Sequence, residues 1–479
     1  MEIQELKVFD APSIYSLREP IVKIQVKLGE YAEIPTKDIY NLNDEIIRLF
    51  PGIMDHKCAK GYIGGFVERL REGTYLAHVA EHLCLEMQRM LGYDIRHGKA
   101  RQVKDDIYNI IFSCVHPKIG KICGNFIINT LNALMNGQEV EIDTQLLKLK
   151  KQCTRYDLGI STRAFIEEAN NRGIPVNLVN GGELIRLGYG RYQKCLSATL
   201  YEGKRDVAAL ILEMIYPSGT PFTIPVVSIT GTNGKMTTTR MISKIIRGQG
   251  VTVGTTTTHG IYINDCCIEA GDTTSPKSAR SVLNSPEVEA AVLETARGGI
   301  IREGLAYEKA DVAVFTNLTE DHLGIDGIHT MEELLHVKSL VIEAVKENGA
   351  CILNADDPWV MKVRDKAKGK QVLFSLQDNN PILLEHINHG GTAVYKRNHD
   401  IVLFHEGHVR KHISLRNIPA TLDGRLKHNI YNSMAAIGAC FSLGIPFFVI
   451  ERSLSEFTCE KIIDEYKAAI CMKELSSCY

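Results

Sequence analysis

The spacing of apolar and polar positions changes period along the chain and divides it into segments. From residue 1 to about 145, strand-like stretches alternate with helical ones and end in the apolar helical run IGKICGNFIINTLNALMNG, which predicts an N-terminal α/β domain. A short unit follows, in which STRAFIEEANNRG reads as a helix with Ser161 as its N-cap and Gly173 at its end, and IPVNLVN reads as a strand. YPSGTPFTIP, rich in Pro, Gly and Thr, reads as a connector with a boundary near Tyr216. From Ile224 an apolar strand, a glycine loop and an amphipathic helix are followed by apolar strands at AAVLETA, ADVAVFTNL and GACILNA. That order predicts a parallel sheet covered by helices, so the expected class is α/β throughout. The expected divisions are 1–150, 151–215, 216–425 and 426–479, and no internal repeat or low-complexity tract crosses them.

Composition narrows the function classes. The 55 Lys and Arg nearly balance the 57 Asp and Glu, and no basic stripe collects, which argues against a nucleic-acid partner. The start, MEIQELKVFDAPSIYSLREP, lacks the apolar stretch of a signal peptide, and no run of about 18 apolar residues appears later. A soluble, cytoplasmic protein without a membrane partner is expected. The 13 cysteines are scattered, apart from Cys266-Cys267, without the paired spacings of a zinc ribbon or disulfide scaffold, so reduced thiols are expected.

The strongest chemical signal is VVSITGTNGKMTTTRMISKII. Gly231 and Gly234, flanking Thr232 and Asn233, let the backbone turn tightly and aim amides at a phosphate; the helix dipole adds to this, and Lys235 supplies a compact cation. A phosphate loop normally follows its lysine with Ser or Thr to reach Mg2+, but this chain has Met236, whose thioether is a poor ligand for a hard cation; Thr237 substitutes only if the helix start shifts by about a residue. Further polar residues fall just after apolar strands, where open α/β sheets bind ligands. Glu294 ends AAVLE and suits a Mg2+ that bridges nucleotide phosphates, Asn317, Asp321 and His322 follow VAVFT with His322 as a metal or phosphate partner, and Lys338 lies on the next helix.

The N-terminal domain holds a second constellation, His78-Val-Ala-Glu81-His82. Four residues apart on a helix, His78 and His82 share a face and could grip one Zn2+ while Glu81 activates its water. A third ligand is required. Glu86 fits helical spacing, and Glu139 and Glu141 are equally open choices.

GTNGK, DTTSPKSAR, LETARGGI, TNLTEDHLG, HVKSLV, LNADDP and GRLKHNIYN, in this order, resemble the central domain of Mur-type ligases, most closely that of the cyanophycin synthetase family. GYIGGFVERLREGTYLAHVAEH and STRAFIEEANNRGIPV…LGYGRYQ extend the resemblance into the N-terminal part. The resemblance implies a cytoplasmic, oligomeric ligase that uses ATP and Mg2+ to join an amino acid such as arginine to aspartate side chains of an aspartate/arginine polymer through an acyl phosphate. Lys235 would hold the γ-phosphate, Glu294 and His322 would bind Mg2+, and Asn317 and Asn429 would sit around the nucleotide. Lys338 stands where many Mur-type ligases carry a carbamylated lysine, and DTTSPKSAR would lie near the acceptor. The N-terminal domain of this family can act as a hydrolase that clips the polymer. Against the family pattern, most of an ATP-grasp domain is missing between RYQKCLSATLYEGKRD and YPSGTPFTIP, and only TCEKIIDEYKAAICMKELSSCY stands where a third Mur domain would follow. A zinc hydrolase of a peptide polymer, or a non-catalytic partner of a full-length synthetase, are therefore the competing expectations.

Overall fold

The computed structural model describes residues 1–9, 12–154, 156, 158, 160–179, 183–197, 205–320 and 323–458. The chain forms two compact units, Met1–Leu187 with Lys194–Thr220 and Arg302–Leu305, and Gly188–Gln193 with Pro221–Ile301 and Ala306–Tyr479. Each is described by itself. Among the described residues no helix is long and apolar enough to cross a membrane.

The first unit opens with strands β1 (Glu2–Phe9) and β2 (Ile21–Lys27), helices α1 (Leu42–Leu49), α2 (Gly65–Glu72) and α3 (Leu76–Met90), and strands β3 (Gly98–Lys104) and β4 (Ile107–Ser113). Helix α4 (Pro117–Met135) follows. The strands pair in the antiparallel order β1-β2-β4-β3. One face of β2 and β4 is apolar by alternation, with Val22, Ile24, Val26, Ile110 and Phe112 all buried. Helices α3 and α4 complete this core, and Gly120 and Gly124 of α4 permit the contact, since a Cβ at either would strike Val22 or Ile24. Then come α5 (Ile142–Cys153), α6 (Ile160–Asn171), the antiparallel strands β5 (Val176–Val179), β6 (Leu184–Leu187) and β7 (Lys194–Ser197), and α7 (Arg205–Ile215). Helix α6 already begins at Ile160, so Ser161 lies within its first turn rather than at the expected N-cap; Gly173 ends it with φ 71°.

The second unit is built on an 11-stranded sheet in the order β11-β10-β9-β12-β8-β13-β14-β15-β16-β17-β18. In chain order the elements are β8 (Val226–Thr230), α8 (Lys235–Arg247), β9 (Val253–Thr257), β10 (Gly260–Ile263), β11 (Cys266–Ala270), α9 (Pro276–Leu283), β12 (Ala290–Glu294) and α10 (Arg297–Glu303). There follow β13 (Ala310–Phe315), α11 (Met331–Glu343), β14 (Val345–Asn354), α12 (Pro358–Met361), β15 (Lys370–Ser375) and α13 (Pro381–Asn388). The unit closes with β16 (Thr392–Arg397), β17 (Asp400–His405), β18 (His408–Ser414), α14 (Lys427–Ser442) and α15 (Phe447–Ser455). From β9 to β16 the neighbours are parallel, and an antiparallel hairpin finishes each edge. β8, β9 and β12 are buried along their whole length, as strands covered on both faces are, although β9 (VGTTT) is built mostly of threonine. The outermost strand β18, HVRKHIS, is instead exposed over its first five residues.

The core does not stop at the expected boundary of 425. Helix α14 lays Ile430, Met434 and Ile437 into the same core as β8, β13 and β14, because these three positions fall on one helical face. Asp356, just after β14, ties four elements of this layer. It accepts hydrogen bonds from Ser375 Oγ (2.6 Å), Leu376 N (2.7 Å), Asn380 Nδ2 (2.8 Å) and the Tyr431 hydroxyl (2.9 Å). Asp356→Ala leaves these donors without their acceptor and should cost about 2–4 kcal/mol of the unit's stability. Urea unfolding checks this, and a loss below about 0.5 kcal/mol would show that water replaces the carboxylate at no penalty.

Candidate functional site

The phosphate loop leaves the centre of the sheet, between β8 and α8. Gly231 (φ 145°) and Gly234 (φ 83°) take backbone conformations that L side chains rarely adopt, and a Cβ on either would fall on Thr316 Oγ1 or Asn432 Oδ1. Its width is fixed by neighbours. The Asn317 side chain accepts from Asn233 N (2.9 Å) and donates to Asn233 O (3.0 Å), and Thr316 Oγ1 donates to the same carbonyl (2.7 Å). Lys338 Nζ, buried on α11, donates to Gly231 O at 2.6 Å, and Lys235 Nζ donates to Thr232 O at 2.8 Å. Asn317, Lys338 and Lys235 thus meet at this one loop.

Glu294 ends β12 and is buried. Its carboxylate accepts from Thr258 N (3.1 Å) and Thr258 Oγ1 (3.0 Å). Burial raises its pKa, and Lys235 and the two Thr258 hydrogen bonds oppose that rise. A carboxylate short of compensating charge is what a divalent cation would satisfy, so Glu294 fits Mg2+. The hydroxyls after Lys235 fit less well. Met236 presents a thioether, and Thr238 Oγ1 is already bonded to Asn432 Oδ1 (3.2 Å). Thr237 lines the same cleft as Met236.

Asn429 does not face the loop. Fully buried, it donates to Ala420 O (2.7 Å) and accepts from Asn432 Nδ2 (3.1 Å), so it props up Asn432, one helical turn on, which is the residue against Gly234. Asn432 and Thr258 were missed by the sequence reading; the three-residue spacing of Asn429 and Asn432 was the available signal for the first. Asp321 and His322 lie outside the described residues.

In the first unit, α3 places His78 and His82 on one face. The third member is Cys58, not Glu86: one ligand atom each from Cys58, His78 and His82 lies within 4.8 Å of the others, and Cys58 Sγ is 3.3 Å from His78 Nε2. Glu86 instead meets His56, with Oε2 3.0 Å from Nε2, while His56 Nδ1 is 2.8 Å from His82 Nδ1. Glu139 and Glu141 are exposed and outside the group. One assignment of protons gives every Nδ1 and His56 Nε2 a partner: His56 Nε2–H donates to Glu86, His82 Nδ1–H donates to His56, and His78 Nδ1–H donates to Thr74 Oγ1 (2.9 Å). Both Nε2 lone pairs are then left for a cation beside Cys58, the orientation that outer hydrogen bonds impose on metal-binding histidines. The signal for Cys58 in the sequence was the tight run HKCAKGYIGG, in which Gly61 and Gly64 both take positive φ.

Glu81 Oε2 lies 3.9 Å from His82 Nε2. Burial pushes Glu81 up to about 8; burial likewise pushes His78 down to about 4, helped by Arg69, and His82 down to about 2, helped by its neighbouring histidines. The three groups therefore prefer their neutral forms.

Against known proteins, residues 23–136 match the Cyanophycin synthase-like N-terminal domain and residues 229–440 the Mur ligase middle domain. The second unit thus contains a Mur ligase middle domain. A cyanophycin synthetase of Trichormus variabilis is 40% identical over 719 aligned positions, covering 95% of this chain and 80% of that protein. One from Synechocystis sp. is 25% identical, covering 96% and 83%. The UDP-N-acetylmuramoyl-L-alanyl-D-glutamate--2,6-diaminopimelate ligase of Clostridium botulinum is 28% identical, covering 63% of this chain and 60% of its own length. The chain belongs to the cyanophycin synthetase family. Because the 719 aligned positions exceed its 479 residues, these relatives carry residues within the matched span that this chain lacks.

The raised Glu81 pKa sets a sign. A folded-state value of about 8 against an ordinary 4.5 means that the folded chain keeps a proton the unfolded chain releases, so this stabilisation is complete at low pH and disappears as pH rises through 8. The lowered histidines act the other way, but both are neutral in either state above about pH 7. Between pH 7 and 8 the metal-free N-terminal unit should lose up to about 1.4 kcal/mol, and Glu81→Gln should abolish that slope. Urea unfolding at the two pH values checks it; an unchanged slope in the variant would clear Glu81.

Proposed function

We propose that the chain is an ATP- and Mg2+-dependent acid–amine ligase that activates a carboxylate as an acyl phosphate. The observation that carries this reading is the phosphate loop with Lys235 beside the buried Glu294, in a unit that matches the Mur ligase middle domain. A carboxylate oxygen attacks the γ-phosphorus and ADP leaves; the amine then attacks the acyl carbon, phosphate leaves and the amine releases its proton. Since carboxylate and phosphate repel each other, Lys235 lowers the barrier by neutralising the γ-phosphoryl oxygens, and the loop supplies positioning. Glu294, with the unplaced His322, would hold Mg2+, which when bound supplies further neutralisation of the phosphates. By its family, the acceptor is an aspartate side chain of an aspartate/arginine polymer and the amine that of arginine. Residues 151–215 read as a remnant of the ATP-grasp region, and the protein is read as cytoplasmic and homo-oligomeric.

With Mg2+, ATP, arginine and a short aspartate/arginine primer, ADP release should accompany a primer mass gain of one residue. Lys235→Ala should lower this by about 10²–10³-fold, as loss of a cation that acts on developing charge does. Met236→Thr, which restores a hydroxyl, should raise it. Absence of both ADP and mass gain in the unaltered chain would sink the ligase reading.

A second activity is supported by the grouping of Cys58, His78 and His82. These donor types fit Zn2+, which when bound supplies a Lewis acid for hydrolysis. Glu81, held neutral near pH 7 by burial, is placed to exchange a proton with water beside such a site. Zinc titration followed by elemental analysis should give one tight equivalent, weakened at least about tenfold by Cys58→Ser. Retention of full affinity in Cys58→Ser would remove the thiolate from the ligand set. Chelator-sensitive cleavage of the polymer without ATP would be the accompanying activity.

A further inference from the structure

The two expected Mg2+ partners come from different strands: Glu294 ends β12, and His322 follows the stretch TNLTED after β13. The end of β12 is tied to the sheet. Thr295 N donates to Ile229 O (2.8 Å) of β8, and Thr295 Oγ1 shares a hydrogen bond with Ser228 Oγ (2.9 Å). The stretch between β13 and α11 leaves the ladder after Thr316 and is held by side chains instead. Its near end is pinned to the phosphate loop, where Thr319 N donates to Thr232 Oγ1 (3.1 Å) and that hydroxyl donates to Thr319 O (3.2 Å). Its far end is pinned to α11 by a capping box: Glu333 accepts from His329 N (2.8 Å) and Thr330 N (3.2 Å), and Thr330 Oγ1 accepts from Glu333 N (3.2 Å).

Between these pins stands a tight hairpin. Gly324 N donates to Ile328 O (2.7 Å), Ile325 bridges to Ile328, and Asp326 and Gly327 at the tip take φ of 56° and 75°, the positive pair of a two-residue turn. Residues 324–327 are exposed, so burial does not hold the tip. Arg297 does. It opens α10, three residues after Glu294, and its side chain is only 13% exposed. Nη1 donates to Ile325 O (3.1 Å) and Nη2 to Asp326 Oδ2 (3.2 Å), a fork that grips both the backbone and the carboxylate of the turn. A cation in the first turn of a helix meets the positive end of the helix dipole, so local charge does not favour arginine there. Its grip on the hairpin does.

We propose that Arg297 is a positioning residue of the metal–nucleotide site: by clamping the hairpin to the helix that continues from Glu294, it keeps the segment carrying Asp321 and His322 at the end of β12, so that ligands from two strands serve one Mg2+. This rests on the reading of Glu294 and His322 as Mg2+ partners, and Arg297 acts through the turn rather than on the phosphates. It explains why an exposed turn, remote in sequence from β12, receives a nearly buried guanidinium.

The test is metal binding without turnover. Mn2+, standing in for Mg2+, is titrated into the full chain with the non-hydrolysable analogue adenylyl imidodiphosphate, and free Mn2+ is read by electron paramagnetic resonance. Arg297→Ala should weaken Mn2+ binding at least about tenfold, as loss of an outer partner of a metal site does, while affinity for the analogue in EDTA and the urea midpoint stay as in the unaltered chain. A merely structural role would lower all three together. Asp326→Ala, which removes one arm of the fork at an exposed position, should weaken Mn2+ binding about two- to fivefold, the range of an exposed ion pair, and gives a second reading should Arg297→Ala unfold. The double variant should bind Mn2+ as Arg297→Ala does, because both changes undo one clamp. Mn2+ binding by both single variants equal to that of the unaltered chain, a parallel fall in metal-free nucleotide affinity, or no Mn2+ binding by the unaltered chain would each overturn the proposal. The ligase reading fails separately: a chain whose Mn2+ binding depends on Arg297 but which releases no ADP keeps the clamp and loses the reaction.

Discussion

The second unit depends on one constraint: the loop between β8 and α8 cannot hold its own shape. Its carbonyls and amides are held from outside, by Lys338 on α11, by Thr316 and Asn317 after β13, and by Asn432 packed against Gly234 from α14. A loop defined by three distant stretches of sequence forms only once the sheet has assembled. The same side chains that shape it therefore couple the candidate site to the stability of the whole layer. Lys338 illustrates the point: its buried ammonium is satisfied by a backbone carbonyl of the loop, so removing it would leave Gly231 O without this donor.

Much of this was legible in the residues. The apolar run AAVLE, which ends in Glu294, and the run ADVAVF, two residues before Asn317, predicted strands covered on both faces, and β12 is buried throughout while β13 is buried at all but one position. The glycines of GTNGK announced a turn with positive φ, which Gly234 adopts. Less legible were contacts between distant parts of the sequence. Nothing local to Asn429 says that its amide turns inward to Ala420 while Asn432 turns to the loop, because a helix periodicity fixes a face and not a partner. Cys58 was hidden for a similar reason: twenty residues separate it from His78, and only the fold of the glycine-rich turn closes that distance. The helical spacing that made Glu86 one of the open choices of ligand does place it toward His82, but His56 stands between them.

In the first unit the chain Glu86–His56–His82 makes the outer residues as consequential as the inner ones. A ring that offers Nε2 to a cation must carry its proton on Nδ1, and that proton is held by His56, which is held in turn by Glu86. The spread of pKa values follows from the same enclosure. Burial drives Glu81 up and is the largest cause of the lowering of His78 and His82, leaving a pocket of neutral groups that a divalent cation could enter without first displacing a fixed charge.

The hairpin that finishes the far edge of the large sheet has a consequence for the chain in a crowded solution. An open sheet, unlike a closed barrel, offers unpaired backbone groups to any passing strand. Here the outermost strand β18 carries Arg410, Lys411, His408 and His412 in its exposed stretch. A second strand laid along it would have to bring its own side chains up against Arg410 and Lys411, so this border discourages its own extension by charge.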